Sequence, residues 1–505
     1  MTFRRRVRRG PRVLAAIALV FVLMVAGKMF FEWRASIIAG AVYDEYSQAP
    51  LSGALVQWDS VETRTDKKGE FTLIGVDKSL HDTPIVITSD DYAPQELSTD
   101  RDNIVVLLRP DVLSGRVTSG DGAPIPNVRV ATGEDISVET DQDGQFHLKG
   151  VPRDLTLRVI APGYRVFTMQ PGKERRVEIL LEQMVIRGLY ISFGTNTLPN
   201  NRNEIVNKAK AAGLNAIVLD IKNDRGYVTS DIATQESTQI GASLELPERL
   251  QATVENLKRM GFYVIARLVV FKDSLYVDAH PDLAVKTARG LSYVDCEDQR
   301  WLDPFTQKSW EYNLGLAENA ARVGFDEVHF DYIRFPSDCI RDRLVYSQDT
   351  TPENQQKAIE GFLGQASARL HPLGVTTSVA VFGLTAIEDD IGIGQMITGI
   401  ARNVDYVSPM VYPSTWRAGS FNSDYPPAEP YRIVLQSVQR AVERLKGSPA
   451  QVRPWLQAFH DYGSRGIAYN WPEIEAQIKA SQEAGAIGWT LWNPAGRYAL
   501  DGPLP

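Results

Sequence analysis

An acid lies inside an otherwise apolar run at Glu327-Val-His-Phe-Asp-Tyr-Ile-Arg-Phe-Pro336. Asp331 stands two positions after His329 and three before Arg334. Burying a carboxylate in such a run is costly unless it has partners or a task. A carboxylate with a cation and an imidazole beside it is a pKa-tuned acid, base or nucleophile. Comparable residues end other strand-like runs: Asp220 and Lys222 in Asp220-Ile-Lys222, Arg267, and Glu388 in Glu388-Asp-Asp390. Aromatic residues punctuate the remainder at Tyr412, Trp416, Trp455 and Trp492. Carboxylates perform acid–base and nucleophilic work at glycosidic bonds. Aromatic faces can stack on the C–H faces of pyranose rings. The combination therefore points to sugar chemistry. Asp331 would attack or stabilise the anomeric carbon, and Glu388 or a neighbouring acid would protonate the leaving oxygen. Asp220, Lys222, Arg267, His329 and Arg334 would hold polar groups or tune the acid. Each also has a plain structural reading. Asp220 and Lys222 could be an ion pair, Arg267 could neutralise Asp220 or Asp331, the tryptophans could be core, and Glu388 could be a solvated loop charge.

The elements that must position these residues are legible between 187 and 500. Apolar runs at 187–193, 216–222, 262–270, 327–336, 375–383, 405–413, 452–459 and 486–494 alternate with helical patterns. Those patterns cover 203–212, 247–260, 304–323, 352–371, 394–402, 430–446 and 471–484. Near-continuous apolar strands imply a parallel sheet covered on both sides. Eight of them with intervening helices imply an α/β fold, a (β/α)8 TIM barrel, with its site at the C-terminal strand ends. The candidate residues fall at those ends. An open doubly wound sheet would want a glycine-rich phosphate loop after its first strand. The segment Gly194-Thr-Asn-Thr-Leu-Pro199 does not supply one.

Residues 36–183 repeat with an offset of 75 positions. Thr65-Asp-Lys-Lys-Gly-Glu-Phe-Thr-Leu-Ile-Gly-Val76 is matched by Thr140-Asp-Gln-Asp-Gly-Gln-Phe-His-Leu-Lys-Gly-Val151. Short alternating strands between glycine turns suggest two small β-sandwiches, 36–109 and 110–183. A basic start, 1–12, carries Arg4, Arg5, Arg6, Arg8, Arg9 and Arg12. The apolar run 13–31 follows, with eleven residues of Val, Leu, Ile or Phe and the single charge Lys28. This pattern predicts a single-pass transmembrane signal-anchor in the cytoplasmic membrane, with basic residues inside and later domains periplasmic or extracellular. A cleaved signal peptide is the alternative.

Composition narrows the partners. The 505 residues are 44% hydrophobic and 23% charged, ordinary for folded domains. A net charge of −8 argues against nucleic acid. Two cysteines and six scattered histidines argue against a metal centre, and no cofactor is expected. Cys296 and Cys339 fall on predicted rim loops and could form a disulfide in an oxidising compartment. The expected partner is a polysaccharide or oligosaccharide of the cell envelope or its surroundings. A non-catalytic polysaccharide-binding or scaffold protein is the alternative.

Family resemblances sharpen these readings. Trp301-Leu-Asp-Pro304, Gly324-Phe-Asp-Glu-Val-His-Phe-Asp-Tyr-Ile-Arg-Phe-Pro-Ser-Asp338, Val407-Ser-Pro-Met-Val-Tyr-Pro-Ser414, Arg453-Pro-Trp-Leu-Gln-Ala-Phe459 and Gly488-Trp-Thr-Leu-Trp-Asn493 resemble an uncharacterised bacterial family. This is the family of putative glycosyl hydrolase domains, unknown-function family 4015. The resemblance implies a barrel distantly related to retaining glycosidases, with the fourth-strand carboxylate at Asp331. Both repeats resemble the carboxypeptidase regulatory-like domain, a transthyretin-like β-sandwich that implies a spacer or binding accessory. A weaker similarity is to glycoside hydrolase family 18, through Asp326, Asp331, Met410, Tyr412 and Trp492. Here Ile333 stands at that family's catalytic glutamate, His329 at its first inner aspartate and Pro413 after its sixth-strand tyrosine. These departures argue against substrate-assisted chitin cleavage.

Overall fold

The structure is a computed structural model that describes residues 19–26, 37–76, 83–98, 101, 103–132, 136–337, 340, 343–389, 391–463, 465–502 and 504–505. The chain divides into two compact units. One holds 1–114, 147–155 and 171–177; the other holds 115–146, 156–170 and 178–505. Most of the proposed membrane span lies outside the described residues. Residues 19–26 are helical, with Leu19, Phe21 and Met24 more than 60% exposed. No helix among the described residues is long and apolar enough to cross a membrane.

The repeat is structural. In the first copy, 70–74, 37–44 and 103–108 form one sheet, and 61–64, 55–58, 85–88 and 95–97 form another. The second copy has the same order: 145–148, 113–119 and 176–181 in one sheet, then 137–139, 129–131, 157–160 and 167–169. The shared Thr-Asp-x-x-Gly motif has a definite cause. Thr65 Oγ1 donates to Leu51 O (2.5 Å) and accepts from Ala54 N (2.9 Å). Thr140 does the same with Ile125 O (2.7 Å) and Val128 N (2.9 Å). Asp66 and Asp141 each accept two backbone N–H groups of their turns. Gly69 and Gly144 have φ of +77° and +72°, and a Cβ on either would meet a backbone oxygen at 2.5 or 2.4 Å. Only glycine fits both demands.

Eight parallel strands follow: Ile186–Ile191, Ala216–Lys222, Tyr263–Val269, Glu327–Asp331, Thr376–Phe382, Tyr406–Met410, Trp455–Gln457 and Gly488–Trp492. The first pairs with both the second and the eighth, so the sheet closes into a barrel. Helices Pro199–Ala211, Leu250–Arg259, Gln307–Val323, Pro352–Leu370, Pro430–Arg444 and Trp471–Glu483 lie between strands. Outward side chains such as Leu219, Leu268 and Val379 join the apolar layer under those helices. Several predicted elements are shorter than expected, two of them for local reasons that can be named. The fourth strand ends at Asp331, not Pro336, because Tyr332 takes φ +50° and turns the chain. The seventh is split into Gln451–Val452 and Trp455–Gln457 around Pro454, which lacks an N–H. The helix expected at 394–402 contracts to Ile397–Ile400.

Strands of the second sandwich belong to the same unit as the barrel and pack on its N-terminal face. Arg129 Nη2 donates to Asp405 (3.1 Å), just before the sixth strand. Arg158 reaches Asp326 (3.4 Å), just before the fourth. Gly163 N donates to Tyr406 OH (3.0 Å).

Candidate active site

Period-two alternation turns Glu327, His329 and Asp331 of the fourth strand toward the barrel axis. All three are buried. Adjacent strands set Asp220, Arg267, His329 and Ser378 side by side in one layer. Arg267 is the hub. Its Nε and Nη2 donate to Asp331 Oδ2 at 2.9 and 2.7 Å, and its Nη1 donates to Asp220 Oδ1 at 2.7 Å. Tyr190 OH completes Asp220 at 3.0 Å. Tyr332 N donates to Asp331 Oδ1 at 2.7 Å. The guanidinium also lies over the Tyr190 and Trp492 rings, at 5.5 and 5.0 Å.

The two carboxylates on this one cation differ in character. Burial alone would raise the Asp331 carboxyl. The Arg267 charge and the hydrogen bonds outweigh it and hold Asp331 below the ordinary range, ionised at neutral pH. At Asp220 burial wins and the carboxyl rises, despite the same Arg267. Environments that separate two carboxyl groups in this way are the usual basis of distinct acid–base roles. Burial likewise pushes Tyr412 well above a free phenol, helped by the Asp331 charge, so it stays a neutral donor.

A cavity of about 260 Å³ opens above the hub. Asp331, Arg267, Arg334, Tyr412, Trp455 and Trp492 line it, with Tyr332, Ala380, Phe382, Gln395 and Met410. Arg334 lies against Trp301 (4.7 Å) and Phe382 (4.8 Å) and donates to Phe335 O and Ser337 Oγ. Trp455 and Trp492 meet edge to face at 5.4 Å, and Tyr190 stacks on Trp492 at 4.0 Å. A second groove of about 640 Å³ adjoins it and shares Phe382, Met410 and Tyr412. Glu388, Trp416 and Arg417 line that groove.

Besides Trp416 in the adjoining groove, four predicted residues lie outside the cavity. Lys222 does not reach the cavity. A bulge after Asp220 shifts the register, and its fully buried Nζ donates to Val269 O (2.7 Å) and Asn313 Oδ1 (3.1 Å) and pairs with Asp273 (2.8 Å). It holds the barrel wall to the helix outside. His329 lies beneath the cavity, roofed by Trp455, whose Nε1 donates to its Nε2 at 3.0 Å. Asp220 sits behind Arg267 and is not in the cavity lining. Glu388 is exposed in the adjoining groove, and among the described residues Asp331 is the only carboxylate lining the cavity itself. Cys296 is disulfide-bonded; the chain's other cysteine, Cys339, lies outside the described residues. Among the described residues no cluster of His, Cys, Asp or Glu could hold a metal ion.

Sequence reasoning missed Glu327, Ser378, Arg453 and Gln395. Arg453 and Glu327 form a buried ion pair, with Nη1 to Oε2 at 2.9 Å and a second contact from Nη2 to Oε1. Counting back by two from Asp331 to 327, and from Trp455 to 453, would have marked both. Gln395 bonds Ile333 O, Ala380 O and Phe382 N. It comes from a loop, where no period applies.

A closed parallel barrel with a carboxylate, cations and aromatic walls lining a cavity at its C-terminal mouth defines a (β/α)8 barrel protein with its candidate site where such barrels carry theirs. The chain belongs to the family described as a putative glycosyl hydrolase domain, whose model matches residues 188–498. The carboxypeptidase regulatory-like domain matches residues 112–182. No curated protein matches the chain. Among solved structures, a hypothetical protein from Ruminiclostridium thermocellum is 32% identical, over 38% of this chain and 96% of that one, with a TM-score of 0.33. The PgaB (BpsB) glycoside hydrolase domain from Bordetella bronchiseptica is 15% identical, over 61% and 94%, with a TM-score of 0.47. The β-amylase catalytic domain from Paenibacillus polymyxa is 10% identical, over 64% and 95%, with a TM-score of 0.41.

Proposed function

We propose that this protein is an exported, membrane-anchored glycoside hydrolase that cleaves O-glycosidic bonds in an envelope or extracellular polysaccharide. The observation that carries the reading is Asp331: a carboxylate at the floor of an aromatic cavity, kept ionised by the Arg267 fork. In the proposed reaction it attacks or stabilises the anomeric carbon as oxocarbenium character develops. Glu388, from the adjoining groove, donates the proton to the leaving oxygen. Trp455 and Trp492 pack the sugar ring, and Trp416 carries the next unit. Cationic Arg334 and the neutral Tyr412 phenol donate to sugar oxygens. Support for the anchor is the arginine-flanked apolar run 13–31 and the exposed apolar side chains of its helical part, 19–26.

Replacement of Asp331 by Asn tests the reaction. It keeps the shape and removes the charge. Loss of hydrolysis by the full chain on a panel of bacterial exopolysaccharides and peptidoglycan is the expected result. Turnover equal to the parent's would remove Asp331 from the chemistry. One observation favours a second reading, a non-catalytic glycan-binding protein. Asp331 is already clamped by Arg267, and no other carboxylate lines the same cavity among the described residues. Glycan binding by the parent without any product release would decide for it.

A further inference from the structure

From Trp455 in the cavity wall a polar column runs down beneath the cavity, and its four lower members have no part in the proposed reaction. All five of its side chains, Trp455, His329, Ser378, Glu327 and Arg453, are buried. The direction of each link can be worked out. An indole N–H only donates, so at 3.0 Å from Trp455 Nε1 the His329 Nε2 must accept. The ring proton then sits on Nδ1 and is donated to Ser378 Oγ at 2.7 Å. The Ser378 hydroxyl has its own proton left for Glu327, which also takes both terminal nitrogens of Arg453. The base is pinned as well: the Arg453 guanidinium lies 4.4 Å from the Tyr406 ring, and Tyr406 OH accepts from Gly163 N at 3.0 Å.

We propose that His329 is a positioning residue: a neutral imidazole of fixed tautomer that locks the Trp455 ring in the wall of the cavity that Asp331 also lines. A second proton on the ring would set an Nε2–H against the indole N–H, donor against donor, and release the tryptophan. Burial and two guanidiniums oppose that proton and outweigh the carboxylate that would attract it. Asp331 faces the ring from its own strand, Arg267 from the third, Arg453 from the seventh, and Glu327 through Ser378 of the fifth. Burial, with Arg453 and Arg267 adding to it against Asp331, pushes the imidazole down to about 3. An imidazole that merely filled space would need neither a defined tautomer nor a donor above it.

The consequence for sugar binding rests on the proposed function; the geometry does not, so the two can fail separately. The test is long-range nitrogen NMR on the full chain labelled with ¹⁵N-histidine, with the His329 signals assigned by their loss in His329→Gln. A pyridine-like Nε2 and a pyrrole-like Nδ1 that hold steady down to about pH 5 are expected, against titration near 6.5 for a free histidine. The opposite tautomer, or titration near the free value, would overturn the proposal. A second measurement uses 5-fluorotryptophan, with Trp455 assigned through Trp455→Phe. His329→Leu removes the acceptor and should shift the Trp455 fluorine signal, while His329→Gln, which offers an amide oxygen, returns it toward the parent position. An unmoved signal in a folded His329→Leu protein would refute the lock. Should that variant fail to fold, the tautomer in the parent decides alone. On a cleaved glycan, His329→Leu should raise KM about tenfold and leave kcat within about twofold, the pattern of lost ground-state positioning.

Discussion

Arg267→Met cuts the hub while leaving both carboxylates in place, so its cost can be worked out bond by bond. The side chain makes three charge-assisted hydrogen bonds of 2.7–2.9 Å to two buried acids. After the change Asp220 keeps only the Tyr190 hydroxyl and Asp331 only the Tyr332 N–H. Removing one partner of a buried ion pair costs about 3–5 kcal/mol, because the charge left behind is uncompensated. For a domain of this size each kcal/mol moves the melting midpoint by roughly 2 °C, so a drop of about 6–10 °C at neutral pH is expected. The pH dependence follows from the two shifts. In the parent, Asp331 is held below its unfolded value, so its contribution is present at neutral pH and is lost on acidification through its folded pKa. Without Arg267, burial is opposed by one hydrogen bond at each acid, and both carboxyls are expected to rise above the unfolded value near 3.9. The variant is then penalised at neutral pH and recovers as it takes up protons toward about pH 4. Calorimetric melts of parent and variant at about pH 7 and about pH 4.5 should show the gap narrowing. A neutral-pH loss under about 1 kcal/mol, or a gap unchanged in acid, would refute the hub. Arg267→Lys keeps the charge but not the fork and should fall between the two.

Arg129→Met should cost about 3 kcal/mol by stripping Asp405 of its cation, seen as a lowered melting midpoint of the full chain. Burial raises that carboxyl, but Arg129, His371 and the Thr377 N–H hold it far below the ordinary range. The difference between parent and variant should therefore be largest above about pH 4 and fade below it. Trp416→Ala removes the aromatic face in the groove beside Glu388. It should raise KM for long glycans about two- to twelvefold, the worth of about 0.5–1.5 kcal/mol of stacking. Glycans too short to leave the central cavity should be unaffected.

Much of the candidate site was visible along single strands. His329 and Asp331 share a face because side chains alternate, and Trp455 and Trp492 lie on the walls of the same cavity. Lys222 went astray because alternation assumes an unbroken ladder, and a bulge after Asp220 breaks it. Glu388 was placed by its position after the fifth strand, yet a loop carries no period that says which way it points. The expected spacer role for the second sandwich meets the ion pairs from Arg129 and Arg158, which no local pattern announces.

Local chemistry by itself determined the order of strands and helices, the two Thr-Asp-x-x-Gly repeats and the inward column at Glu327, His329 and Asp331. These follow from period-two and period-3.6 burial and from turns that only glycine can make. Tertiary structure alone decided that Asp220 and Asp331 share one guanidinium, that Trp455 rests on His329, and that Glu327 meets Arg453 from 126 residues away. The physical reason is closure. The stagger between strands sets which inward side chains fall in one layer, and that stagger is fixed only when the first strand pairs with the eighth.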